Sequence, residues 1–456
     1  LSGVRHRALV LAVLCVFLLG GAQTPPREKV TMWFWGASPE YRAALDRALV
    51  QPFNASQDRY TLSIEYRASV DNDVRVAVMG GSGPDLIYTS GPSDVTPLAR
   101  AGKLAPLDSY AERYGWNQRL LTPVLDSCRQ FGHLNCVPLS LEADGMFYSR
   151  SLFKERGWQP PTDDAGVESI MQQAAETGLY PSATGNKSWQ PVNENFADIF
   201  LNQYVGPTAL AELLNGRGSW TSPAMKQAMT ELDRWFAHGY LGGGDYFSLD
   251  FDKSLVLLHD HRAAFIFAPS ILFQWAPHYF MTADGDDLAF APFPSLTPYT
   301  PYPLYDIGVA FTYSINANSV VKEGAAAVLD RMLSPAFVLQ IARSWPGYWA
   351  PPLKDFPSDA TASGIIQTYL HAMRTITLSI AEGKYGFRVG TFFPPATRNV
   401  FIRDIEAVWI GEETPEQMLE KASRRFSQER KLGLVRPVPA PILPPHIGTN
   451  ATAGPR

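Results

Sequence analysis

The chain has 456 residues, more than one ordinary core encloses, so two domains are expected. Its apolar fraction of 46% is that of a globular protein, and its charged fraction of 18% is low for a soluble one. The net charge of −5 argues against nucleic acid, whose binding needs a basic surface to neutralise phosphates, and against an anionic membrane surface as main partner.

Arg5 and Arg7, the apolar run Ala8 to Leu19 and the small residues Gly20-Gly21-Ala22 read as residues 1–22 of an export signal cleaved near Ala22. The run is shorter than the roughly 20 residues of a spanning helix, which is the alternative. Leu14 before Cys15 does not suit a lipoprotein signal. A periplasmic or extracellular location follows. Cleavage moves the net charge to about −7, because two arginines and no acids are lost.

Strands are expected at Glu28 to Trp35, at the alternating Tyr60 to Tyr66, and at the short apolar runs Asp85 to Tyr88, Ala263 to Phe267 and Gly308 to Ile315. Helices are expected over Met225 to Phe236 and Ala325 to Leu333. Ser38-Pro39, Ser222-Pro223, Ser334-Pro335 and Thr414-Pro415 read as helix starts, the last with Gln417 completing a capping box. Strands alternating with helices point to an α/β class with largely parallel sheets. Cys128 and Cys136 flank a hairpin around Gly132, and an even pair in an exported chain suggests a disulfide; two free thiols are the alternative.

Glu142 and Asp144 interrupt two runs that otherwise read as buried strands. A desolvated carboxylate is costly unless partnered, so the chain is expected to pass from one core to another there. The proline-rich Ala291 to Pro303 and the irregular Trp345 to Pro352 suggest two further crossings. The lobes are then discontinuous: residues 28–140 with 304–350, and 143–300 with 360–432. From Val435 the sequence reads as a flexible proline-rich tail, residues 435–456.

Several stretches, in order, resemble the extracellular solute-binding proteins of ABC importers that carry sugars. They are Gly80 to Tyr88, Leu98 to Asp108, Pro138 to Ala143, Tyr148 to Phe153 with Gly157-Trp158, Ala263 to Phe267, Ser334 to Gln340 and Gly411 with Thr414-Pro415. The resemblance spans Val30 to Phe426 and is nearest to the maltose-binding proteins around Pro138. It implies a two-lobe type II periplasmic-binding-protein fold with a hinge and an interlobe ligand cleft. It further implies a sugar or short oligosaccharide as ligand, delivery to membrane permease subunits, a monomer, and neither cofactor nor metal. A polyol, a sugar phosphate or another small metabolite is the alternative ligand. In that family a glutamate four residues after the proline bonds sugar hydroxyls, and Glu142 stands at its position. A carboxylate suits a polyol because its two oxygens accept adjacent hydroxyls.

Aromatic rings receive the C–H face of a sugar, which makes Trp35 and Tyr88, each at a strand end, candidates for the cleft. Tyr348 and Trp349 in the late irregular segment, and Trp189 in a polar loop, join them. Phe273 or Trp275 is expected to replace a displaced family tryptophan, while Asp144, Asn195 and Asp306 are candidates by position alone. Trp158 and Trp235 lie on helices and read as core. A glycosidase using two carboxylates is the competing class. Neither Gly-x-Ser-x-Gly nor a P-loop occurs, and His259-Asp-His261 reads as a polar turn.

Overall fold

The computed structural model describes residues 26–187, 192–280 and 285–443. The expected export signal and Trp189 lie outside these residues.

Two sheets organise the chain. The first has the order β2-β1-β3-β12-β6, with β1 Glu28–Trp35, β2 Tyr60–Arg67, β3 Leu86–Thr89, β6 Val137–Pro138 and β12 Thr312–Ile315. The second has the order β13-β11-β7-β9-β8, from β7 Leu141–Ser149, β8 Tyr180–Ser182, β9 Ala263–Pro269, β11 Tyr305–Val309 and β13 Tyr385–Phe387. Strand β10, Leu288–Pro292, adds to it along β7. Between β3 and β6 a hairpin, β4 Arg129–Gln130 and β5 His133–Leu134, turns through Phe131 and Gly132, both at positive φ (52° and 85°). Such a turn matches the twist of its strands. It brings Cys128 and Cys136 within 5.2 Å between Cα atoms, and they form a disulfide. Closing a loop of 8 residues' separation restricts the unfolded chain, so the double variant Cys128→Ala/Cys136→Ala should lose about 2–3 kcal/mol in urea unfolding.

The helices start where their capping residues stand. Ser38, Ser222 and Ser334 accept the amide hydrogens of Tyr41, Met225 and Phe337, and Thr414 forms a full capping box with Gln417. Each cap satisfies one of the amides a helix start leaves unpaired, and the following proline has none to satisfy.

Three expectations about organisation need correction. The sheets are not largely parallel: β7 runs antiparallel to β9, β10 and β11, and β12 antiparallel to β3 and β6. Parallel neighbours need a crossover that returns to the same end. Here β7 and β12 are entered directly from the opposite lobe, so they run against the strands beside them.

The run Gly308 to Ile315 is not one strand. It divides at Ala310-Phe311 between the second sheet and the first, which puts Tyr305–Val309 in the second lobe. The proline-rich stretch after Ala291 joins β10 to β11, both on β7, and so stays within one lobe. The segments that pass between lobes are therefore 139–140, 310–311 and the chain after Trp349. They lie side by side: Leu139 and Ala310 donate backbone hydrogen bonds to Phe311 and Ser140, and Ala350 and Leu141 to Leu139 and Ala350.

The third correction concerns the tail. Residues 435–443 are tied down. Arg436 donates to the Ser127 carbonyl (2.5 Å) and to Ser93 Oγ (3.1 Å) in the first lobe, and to the Thr391 carbonyl in the second. Val438 exchanges hydrogen bonds with the Asn215 side chain, and Ile442 donates to the Gly383 carbonyl at 3.0 Å. The prolines remove backbone donors, but the segment satisfies its polar groups against both lobes instead of in a helix or sheet.

Candidate interlobe binding site

Strand β7 carries the site's first acid because its whole length is covered. Gly145 lets β10 approach: a Cβ there would fall 2.4 Å from the Phe290 ring and 2.6 Å from the Ala291 carbonyl. Glu142 and Asp144 alternate with core residues on this strand and point to a single buried cation, Arg388, which follows β13. Arg388 is 1% exposed. It pairs with Glu142, with Asp144 and Asp198 through Nε (3.2 and 3.0 Å), and with Glu194 through Nη2 (3.1 Å). Nη2 also donates to Asn195 Oδ1 at 2.5 Å. Glu194, Asn195 and Asp198 come from the helix Val192–Tyr204, spaced to place them on one face. Gly308, opposite Glu142 in the sheet, makes room for Arg388, since a Cβ there would meet its Cδ at 3.0 Å. Asp306 lies beside the group, with Oδ1 lacking a hydrogen-bond partner.

Burial raises every acid of the group, although Arg388 pulls each of them down. Glu142 is pushed up to about 7, Asp144, Asp198 and Asp306 rise well above the carboxylate range, and Glu194 is raised too. One guanidinium does not balance this many desolvated carboxylates, so burial disfavours their charged forms.

Glu142, Glu194 and Arg388 form the floor of a cavity of about 650 Å³ between the lobes. Its two sides differ in character. The first lobe and its crossing present aromatic rings, Trp35, Tyr88, Phe311 and Tyr348; the second presents Thr391, Arg398, Asn399 and Arg403, with Gln274 and Trp275 at one end. Trp35 is half-buried and its indole donates to the Tyr348 hydroxyl at 2.5 Å. Tyr348 stacks on Phe311 (centroids 4.6 Å apart) and on Trp345 (4.6 Å), and Trp275 stacks on Phe251 at 4.8 Å. The rings are thereby fixed before any ligand arrives. The lobes touch across the cleft: Arg398 pairs with Asp94 at 3.3 Å, and Tyr41 donates to the Gln274 carbonyl at 2.8 Å.

Of the residues singled out in the sequence, Trp35, Tyr88, Glu142, Trp275 and Tyr348 line the cavity together. Asp144, Asn195 and Asp306 lie beneath its floor, around Arg388. Two are core residues instead. Phe273 packs on Phe147, Phe290 and Tyr369, and Trp349 on Phe34, Phe311 and Phe337. The first is turned inward by the short helix Ser270–Gln274, the second by its neighbour Tyr348, which takes the cavity side. Sequence reasoning missed Ser90, Asp94, Glu194, Phe311, Arg388 and Arg398. A signal for Arg388 was available, since interior acids demand a cation, and Tyr-Gly-Phe-Arg-Val places one directly after an apolar run. Among the described residues no group of three or more His, Cys, Asp or Glu side chains could hold a metal ion.

Residues 38–337 match the family of bacterial extracellular solute-binding proteins. The chain belongs to that family. Solute-binding relatives include the diacetylchitobiose binding protein NgcE of Streptomyces coelicolor, 22% identical over 269 residues, which are 56% of each chain. A probable sugar-binding periplasmic protein of Brucella suis is 24% identical over 118 residues, 26% of this chain and 28% of the relative. This solute-binding protein thus aligns with about half or less of the length of the curated relatives it matches. Among solved structures, a chitin oligosaccharide binding protein superposes with a TM-score of 0.72 at 17% identity, over 88% of this chain and 98% of the other. The maltose/maltodextrin-binding domain MalE of Bdellovibrio bacteriovorus, bound to maltotriose, superposes at 0.64 with 18% identity, over 88% and 100%. These likenesses establish the two-lobe fold of solute-binding proteins for this chain.

Proposed function

We propose that this protein captures a sugar or short oligosaccharide between its lobes, outside the cytoplasm, and delivers it to the permease of an ABC importer as a monomer. The observation that carries this is the two-sided cavity: fixed aromatic rings on one lobe, carboxylate and arginine groups on the other. A pyranose has an apolar C–H face and a rim of hydroxyls, and such walls satisfy both. The names of the relatives, which bind chitin oligosaccharides, diacetylchitobiose and maltotriose, support the same ligand class. The cavity volume of about 650 Å³ accommodates a small glycan and lies within the ordinary range for small-molecule sites.

Opening and closing at the three side-by-side crossings would admit the ligand and give the permease a closed form to recognise. The experiment is a panel of mono- and oligosaccharides read by thermal shift and tryptophan fluorescence. A binding member should raise the unfolding temperature and change the emission of Trp35 and Trp275. A panel in which no saccharide does either would overturn the sugar assignment.

A further inference from the structure

The floor of the cavity carries more carboxyl groups than its own cation can pair as carboxylates. Glu142, Asp144, Glu194 and Asp198 all reach Arg388, and Asp306 lies against the same group. Among the described residues Arg388 is the only cation within ion-pair distance of these acids. Buried carboxylate in excess is costly, and is relieved either by protons or by a positive charge brought from outside.

Two observations place that missing charge in the cavity. Glu142 gives Oε1 to Arg388, and Glu194 likewise gives Oε1, leaving its buried Oε2 with no well-formed hydrogen bond and only the Gly390 amide close by. Both residues line the cavity, so unsatisfied carboxylate faces the ligand space. The same cavity is lined by the half-buried ring of Trp35, and an aromatic face attracts a cation further. The arginines on the second lobe do not reverse the sign. Arg398 is shared between Asp94, with which it pairs, and Glu194, whose pKa it also pulls down, and Arg403 is exposed at the rim, where water and salt screen it.

We propose that the cavity is built for a cationic glycan, an amino sugar or amino-substituted oligosaccharide, whose ammonium group is received by Glu142 and Glu194. The inference rests on the sugar reading above and narrows it to one charge class. The groups that face these two acids are Asp144 on the same strand, Asp306 on β11, Asp198 on the helix behind, Arg388 and, for Glu194, Arg398. Proton and ammonium compete for the same oxygens. Burial raises both acids, Glu142 to about 7, so ligand binding releases protons and weakens as the pH falls below neutral.

The test is calorimetry on the full chain with α- and β-linked mono- and disaccharides, each supplied as the amine, the acetamide and the hydroxyl. At pH 7.5 the amine should bind at least tenfold more tightly than its hydroxyl counterpart and release protons, measured in buffers of different ionisation enthalpy. Its advantage should shrink at pH 5.5. The isosteric variants Glu142→Gln and Glu194→Gln should each reduce the amine-to-hydroxyl ratio severalfold. A hydroxyl or acetamide member binding the unmodified protein as tightly as the amine would overturn the charge assignment and leave the sugar reading standing. Failure of every member to bind would remove both.

Discussion

Replacing Arg388 by methionine should cost about 3–5 kcal/mol of stability, because it leaves desolvated carboxylates without their partner. Methionine fills a similar volume, so the loss is electrostatic and not a cavity effect. The same arginine donates to Asn195 and holds Asp198, which in turn accepts the Val389 amide at 2.6 Å, so its removal also frees the chain after β13.

The sign of the pH dependence distinguishes this account from loss of packing. The folded-state acids sit above their unfolded values, Glu142 at about 7 against 4.5. A raised group contributes stability that is complete below its unfolded value and is lost as the pH rises through its folded one. Without Arg388 these acids rise further, so the variant's deficit should be larger at pH 8 than at pH 5. Urea unfolding of both proteins at the two pH values measures it. Equal deficits would show that the loss does not come from the arginine's charge on these acids.

Trp35→Ala should weaken glycan binding by roughly 10- to 100-fold, about 1–3 kcal/mol, while lowering stability by about 1–2 kcal/mol. Trp35 ends β1 at the cavity and is only half-buried, so its removal exposes little core. What it provides is a ring already oriented: the indole is held by the Tyr348 hydroxyl, and it meets Trp345 edge-on at 5.8 Å. A platform fixed before binding loses little entropy when the ligand packs on it. Tyr348→Phe separates position from contact, since it keeps the stacking on Phe311 and Trp345 but frees the indole. It should cost less than tenfold in affinity by the same calorimetric titration. A Trp35→Ala protein with unchanged affinity for every saccharide it binds would remove the ring from the site.

Much of the fold was legible because its signals are local. The four Ser/Thr-Pro starts cap helices whether or not the rest of the chain is known, since the cap and the amide it satisfies lie three residues apart. The hairpin that joins Cys128 to Cys136 is likewise contained within a few residues. The Gly308 to Ile315 run shows where locality fails. Its residues are buried apart from the half-buried Ala310, so the apolar run reads as one strand, but the two halves belong to different sheets. The proline-rich stretch after Ala291 failed in the opposite direction. Its composition marks irregular backbone truthfully, yet says nothing about which lobe its flanking strands join.

For the site, the sequence by itself determined that acids interrupt a buried run at Glu142 and Asp144, and that such acids need partners. It also determined that aromatic residues stand at strand ends, as Trp35 and Tyr88 do. Which partner answers the acids was decided by tertiary structure alone. Arg388 is 246 residues from Glu142 along the chain, and Glu194 approaches from a third element. The same holds for the rings, where Tyr348 turned to the cavity and its neighbour Trp349 to the core. Burial and pairing are properties of groups brought together from distant segments. A sequence read locally therefore shows the demand for a counter-charge at Glu142, and only the folded chain shows that one arginine is shared among several acids.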